Sequence, residues 1–343
     1  MKFTVLIPHW KSKITAYSIS QFLKYKGKHS ISIHVIDNSP EDHSLVNIIE
    51  GFKGYPVKRL IFADLTGPKI SSHGTALDKG MMVSDDDWVI CAESDSFPTE
   101  DKWLDVYENI IKKGYDGAGS LLKLSGGVYK HPCGALFKRS IWKEAMDYFT
   151  NIPYNYYPNF MMRDNFPVHA MIHHSLVEEV STNPNDWVEL SSDYKGDTKE
   201  IMKEKMEYYK PVCGAFHSGA GGRQESLRTY GNRTHETDPP YILVNNKNAK
   251  IIGRLGYEPG QALHYYEIAT GRKICYIDTE TVWMPNRVNQ QQDRTVMSNG
   301  FIHLWAGSSY LSMKGTALND VYEYKNKIID ELYNSLPIHQ KIH

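Results

Sequence analysis

Trp88-Val89-Ile90-Cys91-Ala92-Glu93-Ser94-Asp95-Ser96-Phe97-Pro98 is a short apolar run that passes directly into acid, hydroxyl and acid. Its length suits a buried β-strand, and Pro98 marks a stop. Two carboxylates at i and i+2 just past a strand would sit at the open edge of a sheet, where α/β folds bind ligands. Hard oxygen ligands at this spacing suit Mg2+ or Mn2+. Asp, Ser and Pro are also common turn residues, so the tripeptide alone reads more readily as a solvated turn. The surrounding chain shifts that balance.

Upstream, residues 3–7 form an apolar, β-branched run ended by Pro8. Ile14, Tyr17, Ile19, Phe22 and Leu23 recur at helical spacing, with Ser12 or Thr15 as a cap and Gly27 as the stop. Residues 31–36 alternate as a second strand and run into Asp37-Asn38-Ser39-Pro40. Strand, helix and strand over this length predict a parallel βαβ unit. A helix over 44–52, a weak strand over 59–62, a loop entering a helix over 71–82 and the strand over 88–92 follow. Residues 103–112 read as an amphipathic helix, 116–122 and 134–137 as strands, and 139–149 as a helix. The alternation predicts an open α/β sheet. The second half is less regular. Residues 154–174 are dense in aromatics, His and Pro, 198–209 read as a charged helix, and 213–233 as a Gly-rich functional loop. Strands are expected within 241–252, 273–283 and 301–305, a helix over 261–270 stopped by Gly271, and a terminal amphipathic helix over 317–336.

The chain has 343 residues, 41% hydrophobic and 23% charged, which suits a soluble protein with a sizeable core and about two domains. Formal net charge is −1 from 39 basic and 40 acidic side chains, so no global field favours nucleic acid or an anionic membrane. Aromatics reach 12%, compatible with stacking on sugars or bases as well as with packing. Cys91, Cys133, Cys213 and Cys275 lack zinc-knuckle or redox spacing and read as reduced thiols. With no signal-peptide pattern at the start and no apolar stretch of about 20 residues, a cytoplasmic location is expected, in a bacterial cell or a phage-infected host.

The order of motifs resembles the GT-A class of nucleotide-sugar glycosyltransferases, in particular its family-2-like members. Four segments carry the likeness: Thr4-Val5-Leu6-Ile7-Pro8 with Val35-Ile36-Asp37-Asn38-Ser39; Gly74-Thr75-Ala76-Leu77-Asp78-Lys79-Gly80; Cys91 to Pro98 followed by Trp103-Leu104; and His131-Pro132-Cys133-Gly134-Ala135-Leu136-Phe137-Lys138-Arg139. The third is similar to the family's Asp-x-Asp element, with Glu93 in place of the first Asp. Asp78 stands where the family usually has Asn. The likeness covers residues 1–145 and, more loosely, 251–320, where Gly256 to Gln261 is similar to the opening of an acid-bearing helix and Phe301 to Ser309 to a late His-containing segment.

The resemblance implies a GT-A-like open mixed sheet flanked by helices, with a large insertion in the second half. Residues 1–145 would form the nucleotide-sugar-binding half. Residues 146–343 would form the acceptor half, including an insertion at about 150–250 and the C-terminal helix. It implies a nucleoside-diphosphate sugar as donor, Mn2+ or Mg2+ as cofactor, and a saccharide or other hydroxyl acceptor. Asp95 becomes the first metal ligand with Glu93 assisting, and His303 or His217 supplies a third contact. Pro8, His9, Trp10, Asp37, Asn38, Asp78 and Ser94 become the donor-binding candidates. Asp37 and Asn38 suit a turn equally. An inverting reaction needs a base; Glu258 is the leading candidate and Asp164 the second, each also readable as a helix-end acid or an ion-pair partner. His169, His173 and His174 have partial zinc spacing but lack a His-Glu-x-x-His helix.

Three other readings compete. A sugar nucleotidyltransferase needs a Gly-rich basic loop after the first strand, and Pro8-His9-Trp10-Lys11 is not one. A non-catalytic carbohydrate-binding protein would use the aromatics without the acids. A phage-type glycosyltransferase acting on 5-hydroxymethylpyrimidine in DNA could use Arg223, Arg228, Tyr230 and Arg233 for phosphate contacts and stacking.

Overall fold

The computed structural model describes residues 1–62, 72–124, 127–150, 174–175, 187–189, 243–245, 251–252, 254–255, 263, 266–267, 270–285, 292–305, 309–316 and 318–341. The chain divides into two compact units. The first joins residues 1–121, 130–140 and 273–343; the second joins 122–129 and 141–272.

In chain order the elements are β1 (Lys2–His9), α1 (Ile14–Lys24), β2 (Ser30–Asp37), α2 (Ser44–Glu50), β3 (Val57–Leu60), α3 (Ser72–Val83), β4 (Trp88–Cys91) and β5 (Ser96–Pro98). Then come α4 (Trp103–Lys112), β6 (Gly117–Leu124), β7 (Gly127–Lys130), β8 (Ala135–Lys138) and α5 (Arg139–Thr150). Short strands follow: β9 (His174–Ser175), β10 (Trp187–Glu189), β11 (Leu243–Asn245), β12 (Ile251–Ile252) and β13 (Arg254–Leu255). The chain closes with β14 (Ile274–Ile277), β15 (Thr279–Trp283), β16 (Gln292–Met297), β17 (Phe301–Leu304) and α6 (Asn319–Asn334).

The first unit is built on a mixed sheet in the order β14-β6-β8-β4-β1-β2-β3. β1 runs parallel to both β2 and β4, and β2 parallel to β3. β8 lies antiparallel to β4 and to β6, while β14 is parallel to β6. This is the open α/β architecture that the β–α alternation predicts. After β1 the chain steps to β2 and β3 on one side, then crosses to β4 on the other. The crevice beyond the carboxyl ends of β1 and β4 is therefore a topological switch point, the usual ligand position in such sheets.

β1 is a near-continuous buried apolar run, as a strand covered on both faces must be. Ile14, Ala16, Ile19 and Phe22 turn one face of α1 inward at helical spacing. The main core combines Phe3, Val5, Ile7, Ile19, Phe22, Ile33 and Val35 with Trp103, Tyr107 and Phe301. Phe22 and Phe301 each sit against the Trp103 ring, with centroids 5.5 and 5.8 Å away. A second cluster of Ile14, Phe97, Leu304, Tyr310 and Ile329 draws on α1, β5, β17 and α6. A smaller sheet runs β15-β16-β17-β5, all antiparallel. In the second unit, β10 pairs with β11 and β11 with β12, and β13 pairs with β9. Gly271, at φ +71, follows a helical turn in which the Thr270 N–H donates to the Tyr266 carbonyl, the stop expected there.

Three local expectations need correction. The N-cap position of α1 falls on Lys13, which makes no side-chain capping bond, rather than on Ser12 or Thr15, and the Thr15 hydroxyl is engaged by His9. The third strand covers 57–60 and ends before Phe62. Pro98 does not close the strand before it. β4 stops at Cys91, and Pro98 ends a separate strand, β5, opposite Phe301. A terminal strand position tolerates the missing N–H. Among the described residues no helix is long and apolar enough to cross a membrane.

Candidate active site

The acid loop is fixed from both ends. Beyond β4 the Ala92 N–H donates to the Leu6 carbonyl at 2.9 Å, so the ladder to β1 persists one residue further. Then the chain turns: the Ser96 N–H donates to the Glu93 carbonyl at 3.1 Å. The Ser96 hydroxyl accepts the Glu93 N–H at 2.8 Å and donates to the Glu93 carbonyl at 3.0 Å. Ser18 on α1 donates to the Ser94 carbonyl at 2.7 Å. The reading of Glu93-Ser94-Asp95 as a turn and its reading as a ligand-bearing loop are thus compatible. The turn is held by its own Ser96 and by Ser18 of α1.

β5 then pairs with β17, placing His303 opposite Ser96, and the Leu304 N–H donates to the Asp95 carbonyl at 3.0 Å. Phe301 anchors β17 in the core, and His303, two residues on, faces the same way by strand periodicity. Its Nε2 lies 3.3 Å from Glu93 Oε2 and 3.7 Å from Asp95 Oδ1. Asp95 and His303 are buried, whereas the Glu93 side chain keeps about a fifth of its surface exposed.

Two further imidazoles approach Glu93. His73 Nδ1 and His131 Nε2 each lie 3.9 Å from its Oε1. His131 stacks on His303 with centroids 5.4 Å apart, and Trp305 lies 4.7 Å from the His303 ring. The Trp305 indole N–H is tied to the Thr295 hydroxyl at 2.6 Å, which holds the ring in place. Cys133 is buried nearby. The ligand-type atoms of Glu93, Asp95 and His303 lie within 4.8 Å of one another, and so do those of His131, Cys133 and His303.

The charges in this cluster are strongly coupled. Burial alone would raise the Glu93 pKa, but His303 and then His73 outweigh it and hold the carboxyl well below the usual range. Burial alone would lower that of His303, yet Cys133, Glu93 and Asp95 pull it well above 6.5. His131 and His73 behave oppositely. Burial dominates the attraction of Glu93, lowering His131 to about 3 and His73 below its ordinary value. The site therefore draws positive charge to one imidazole while two others stay neutral. Imidazole ligates a metal in its neutral form, so a cation bound by His303 takes the place of its extra proton. In an octahedral shell with ligands about 2.1 Å from the ion, adjacent donors stand about 3 Å apart. The spacing among Glu93, Asp95 and His303 fits a divalent cation after small movements.

At the ends of β1 and β2 the arrangement differs. His9 and Asp37 are opposite one another in the β1–β2 register, and the Asn38 N–H donates to the His9 carbonyl at 3.0 Å. His9 is buried between the hydroxyls of Thr15 (2.8 Å) and Ser44 (2.9 Å), and burial lowers its pKa to about 4. Asp37, also buried, accepts Nε–H and Nη2–H of Arg59 at 2.8 and 2.7 Å and the Ser39 N–H at 3.0 Å. Trp10 is 38% exposed at the mouth of these strands. Pro8 is buried within β1, Asn38 is half-buried, and Asp78 is wholly buried on α3.

The structure thus gathers Glu93, Asp95 and His303 into one cluster, with Ser94 in the loop that carries them. Pro8, His9, Trp10, Asp37 and Asn38 lie at the neighbouring strand ends. Glu258, Asp164 and His217 fall outside the described residues. His73, His131 and Cys133 were not anticipated as neighbours of the acids. For His131 and Cys133 a signal existed. β8 is antiparallel to β4 with Ala135 opposite Cys91, and the Gly134 N–H donates to the Cys91 carbonyl at 2.8 Å. The segment entering β8 must therefore lie beside the loop leaving β4. Gly134 sits at φ +72, and a Cβ there would meet Phe301 at 2.8 Å, so only glycine permits this approach.

No known family model matches the chain, and no curated protein matches it. Among solved structures the chain is similar to S. aureus TarS 1-349 at 14% identity, over 42% of this chain and 49% of that one, with a TM-score of 0.32. The same fragment in complex with UDP-GlcNAc aligns at 16% identity over 42% and 47%, with a TM-score of 0.31. The mannosyltransferase PcManGT from Pyrobaculum calidifontis, in complex with GDP-Man and Mn2+, aligns at 11% identity over 41% and 46%, with a TM-score of 0.34. The chain spans less than half the length of each of these structures.

Proposed function

We propose that the chain is a metal-dependent glycosyltransferase of GT-A type that moves a sugar from a nucleoside-diphosphate donor to a hydroxyl acceptor, a saccharide or glycan by default. The observation that carries this reading is the convergence of Glu93, Asp95 and His303 at the switch point beyond β4. Glu93, Asp95 and His303 would hold the cation, Mn2+ or Mg2+. When bound, it supplies Lewis-acid neutralisation of the leaving diphosphate.

The remaining roles belong to the chain. His9, Trp10, Asp37 and Asn38 line the nucleotide end, with Trp10 exposed for contact with the base or ribose. The Lys11 N–H donates to the Ser39 hydroxyl at 3.3 Å, tying the loop after β1 to the loop after β2 and preorganising that mouth. Trp305 presents an aromatic ring beside His303 and His131, where a sugar face could stack and exclude water. Glu258 is the proposed acceptor base and Asp164 the alternative. Ser94, in the acid loop, and Asp78, buried on α3, complete the proposed donor-binding set.

Incubation with a panel of nucleotide sugars, with Mn2+ and with chelator, tests the reading through released nucleoside diphosphate. Metal-dependent release with at least one donor is expected. Absence of turnover with every donor, together with no nucleotide binding by calorimetry, contradicts it and leaves the non-catalytic carbohydrate-binding reading.

A further inference from the structure

His303 belongs to two overlapping donor sets. One, with Glu93 and Asp95, offers mainly oxygen; the other, with His131 and Cys133, offers nitrogen and sulfur. The second set comes from the two residues flanking Pro132 and from β17, and it is held rigidly. The Cys133 N–H donates to His131 Nδ1 at 3.2 Å, His131 stacks on His303, and Tyr107 donates its hydroxyl hydrogen to the Gly134 carbonyl immediately downstream. Thiolate and imidazole donors select thiophilic borderline ions over Mg2+.

We propose that His131, Cys133 and His303 form a three-ligand site for a divalent ion of the Zn2+ class, mutually exclusive with a cation on the oxygen-rich set. Glu93 borders this set, with Oε1 3.9 Å from His131 Nε2 and Oε2 3.3 Å from His303 Nε2, and the fourth position is left to water or a substrate oxygen. Zinc–nitrogen and zinc–sulfur bonds of about 2.0 and 2.3 Å put neighbouring donors roughly 3.3–3.5 Å apart, so donors that now lie within 4.8 Å of one another must draw together on the ion. Exclusivity follows from ring chemistry. A neutral imidazole has one lone-pair nitrogen, so His303 ligates one ion at a time. Binding releases two protons to solvent, that of the Cys133 thiol and the extra proton of the His303 imidazolium. His131 either replaces the Cys133 N–H with the metal at Nδ1, or gives up that hydrogen bond, moves its proton to Nδ1 and ligates through Nε2. The partly exposed edges of Glu93 and His131 give the ion its approach.

The test uses the full chain without nucleotide and is independent of the transfer reaction. Co2+ serves as the spectroscopic stand-in for Zn2+. It should give a near-ultraviolet thiolate-to-cobalt band with tetrahedral visible bands, both removed by Zn2+ and retained in excess Mg2+. Cys133→Ser should lose the thiolate band with its far-ultraviolet dichroism unchanged. His131→Gln should weaken Zn2+ binding by more than about tenfold, and it carries the test if Cys133→Ser does not fold. Saturating Zn2+ should abolish Mn2+ binding. Absence of a thiolate band in the wild type, its persistence in Cys133→Ser, or simultaneous binding of Zn2+ and Mn2+ overturns the proposal. Failure of donor turnover leaves these readouts untouched.

Discussion

Asp37 and Glu93 occupy equivalent places, each at or just beyond the carboxyl end of a parallel strand of one sheet, yet they are neutralised differently. Asp37 is buried against the Arg59 guanidinium, a permanent cation, with the Ser39 N–H completing its partners. Glu93 faces three imidazoles, two of which burial keeps neutral. Asp37 carries its counterion within the fold, whereas the cluster around Glu93 has the donors and the negative potential to take one from solution. Two acids that look alike in the sequence thus sit in different electrostatic settings: the first is paired with a guanidinium within the fold, and the second stands among imidazoles.

Mutation separates the two most sharply. Asp95→Ala should lower metal-dependent donor turnover by roughly a thousandfold or more, the loss expected when several kcal/mol of charge stabilisation disappears. Its unfolding midpoint should stay near that of the wild type. Asp37→Ala should do the reverse in kind, costing about 3 kcal/mol in urea-unfolding experiments because a largely buried guanidinium is left unpaired. Equal stability losses in the two variants would erase the contrast.

Acid should expose a further difference. The folded-state pKa of His9 is about 4, below its ordinary 6.5, so its contribution is full above 6.5 and is lost as pH falls through 4. The span corresponds to about 3 kcal/mol. Unfolding at pH 7, 5 and 4 should show this decline, and His9→Gln, which keeps polar contacts without the titration, should flatten it. Gly134→Ala comes next, at about 1–3 kcal/mol for a positive φ and a contact with Phe301, read as a lower unfolding midpoint. The smallest stability effect belongs to Trp10→Ala. The side chain is 38% exposed, so stability should change by about 0.5 kcal/mol or less, while the KM for donor rises.

The first half of the fold was legible because its signals are local. The apolar run of β1, the helical spacing of Ile14 to Phe22 and the alternation of β2 each fit within one element, and their order predicts the parallel unit. The acid loop was legible as a loop for the same reason. His303 was legible as a candidate from its place on a short strand, but its meeting with Glu93 depends on β5, a three-residue strand that its terminal Pro98 disguises. His131 and Cys133 were harder still. Their segment carried no expectation of metal ligation, and only the antiparallel register of β8 on β4 brings it beside the acids. His73 approaches from α3, and no spacing in the sequence links it to Glu93. Local periodicity reports elements, whereas this site is assembled by pairings between elements distant in the chain.

The account rests on Glu93, Asp95 and His303 acting as one cation site that receives a diphosphate. Titration of Mn2+ followed by electron paramagnetic resonance, with and without UDP or GDP, tests this directly. The wild type should bind one Mn2+ in this cluster, more tightly when the nucleoside diphosphate is present, and Asp95→Asn and His303→Gln should each weaken it by at least about tenfold. Mn2+ binding unchanged in both variants, or indifferent to the nucleotide, would contradict it.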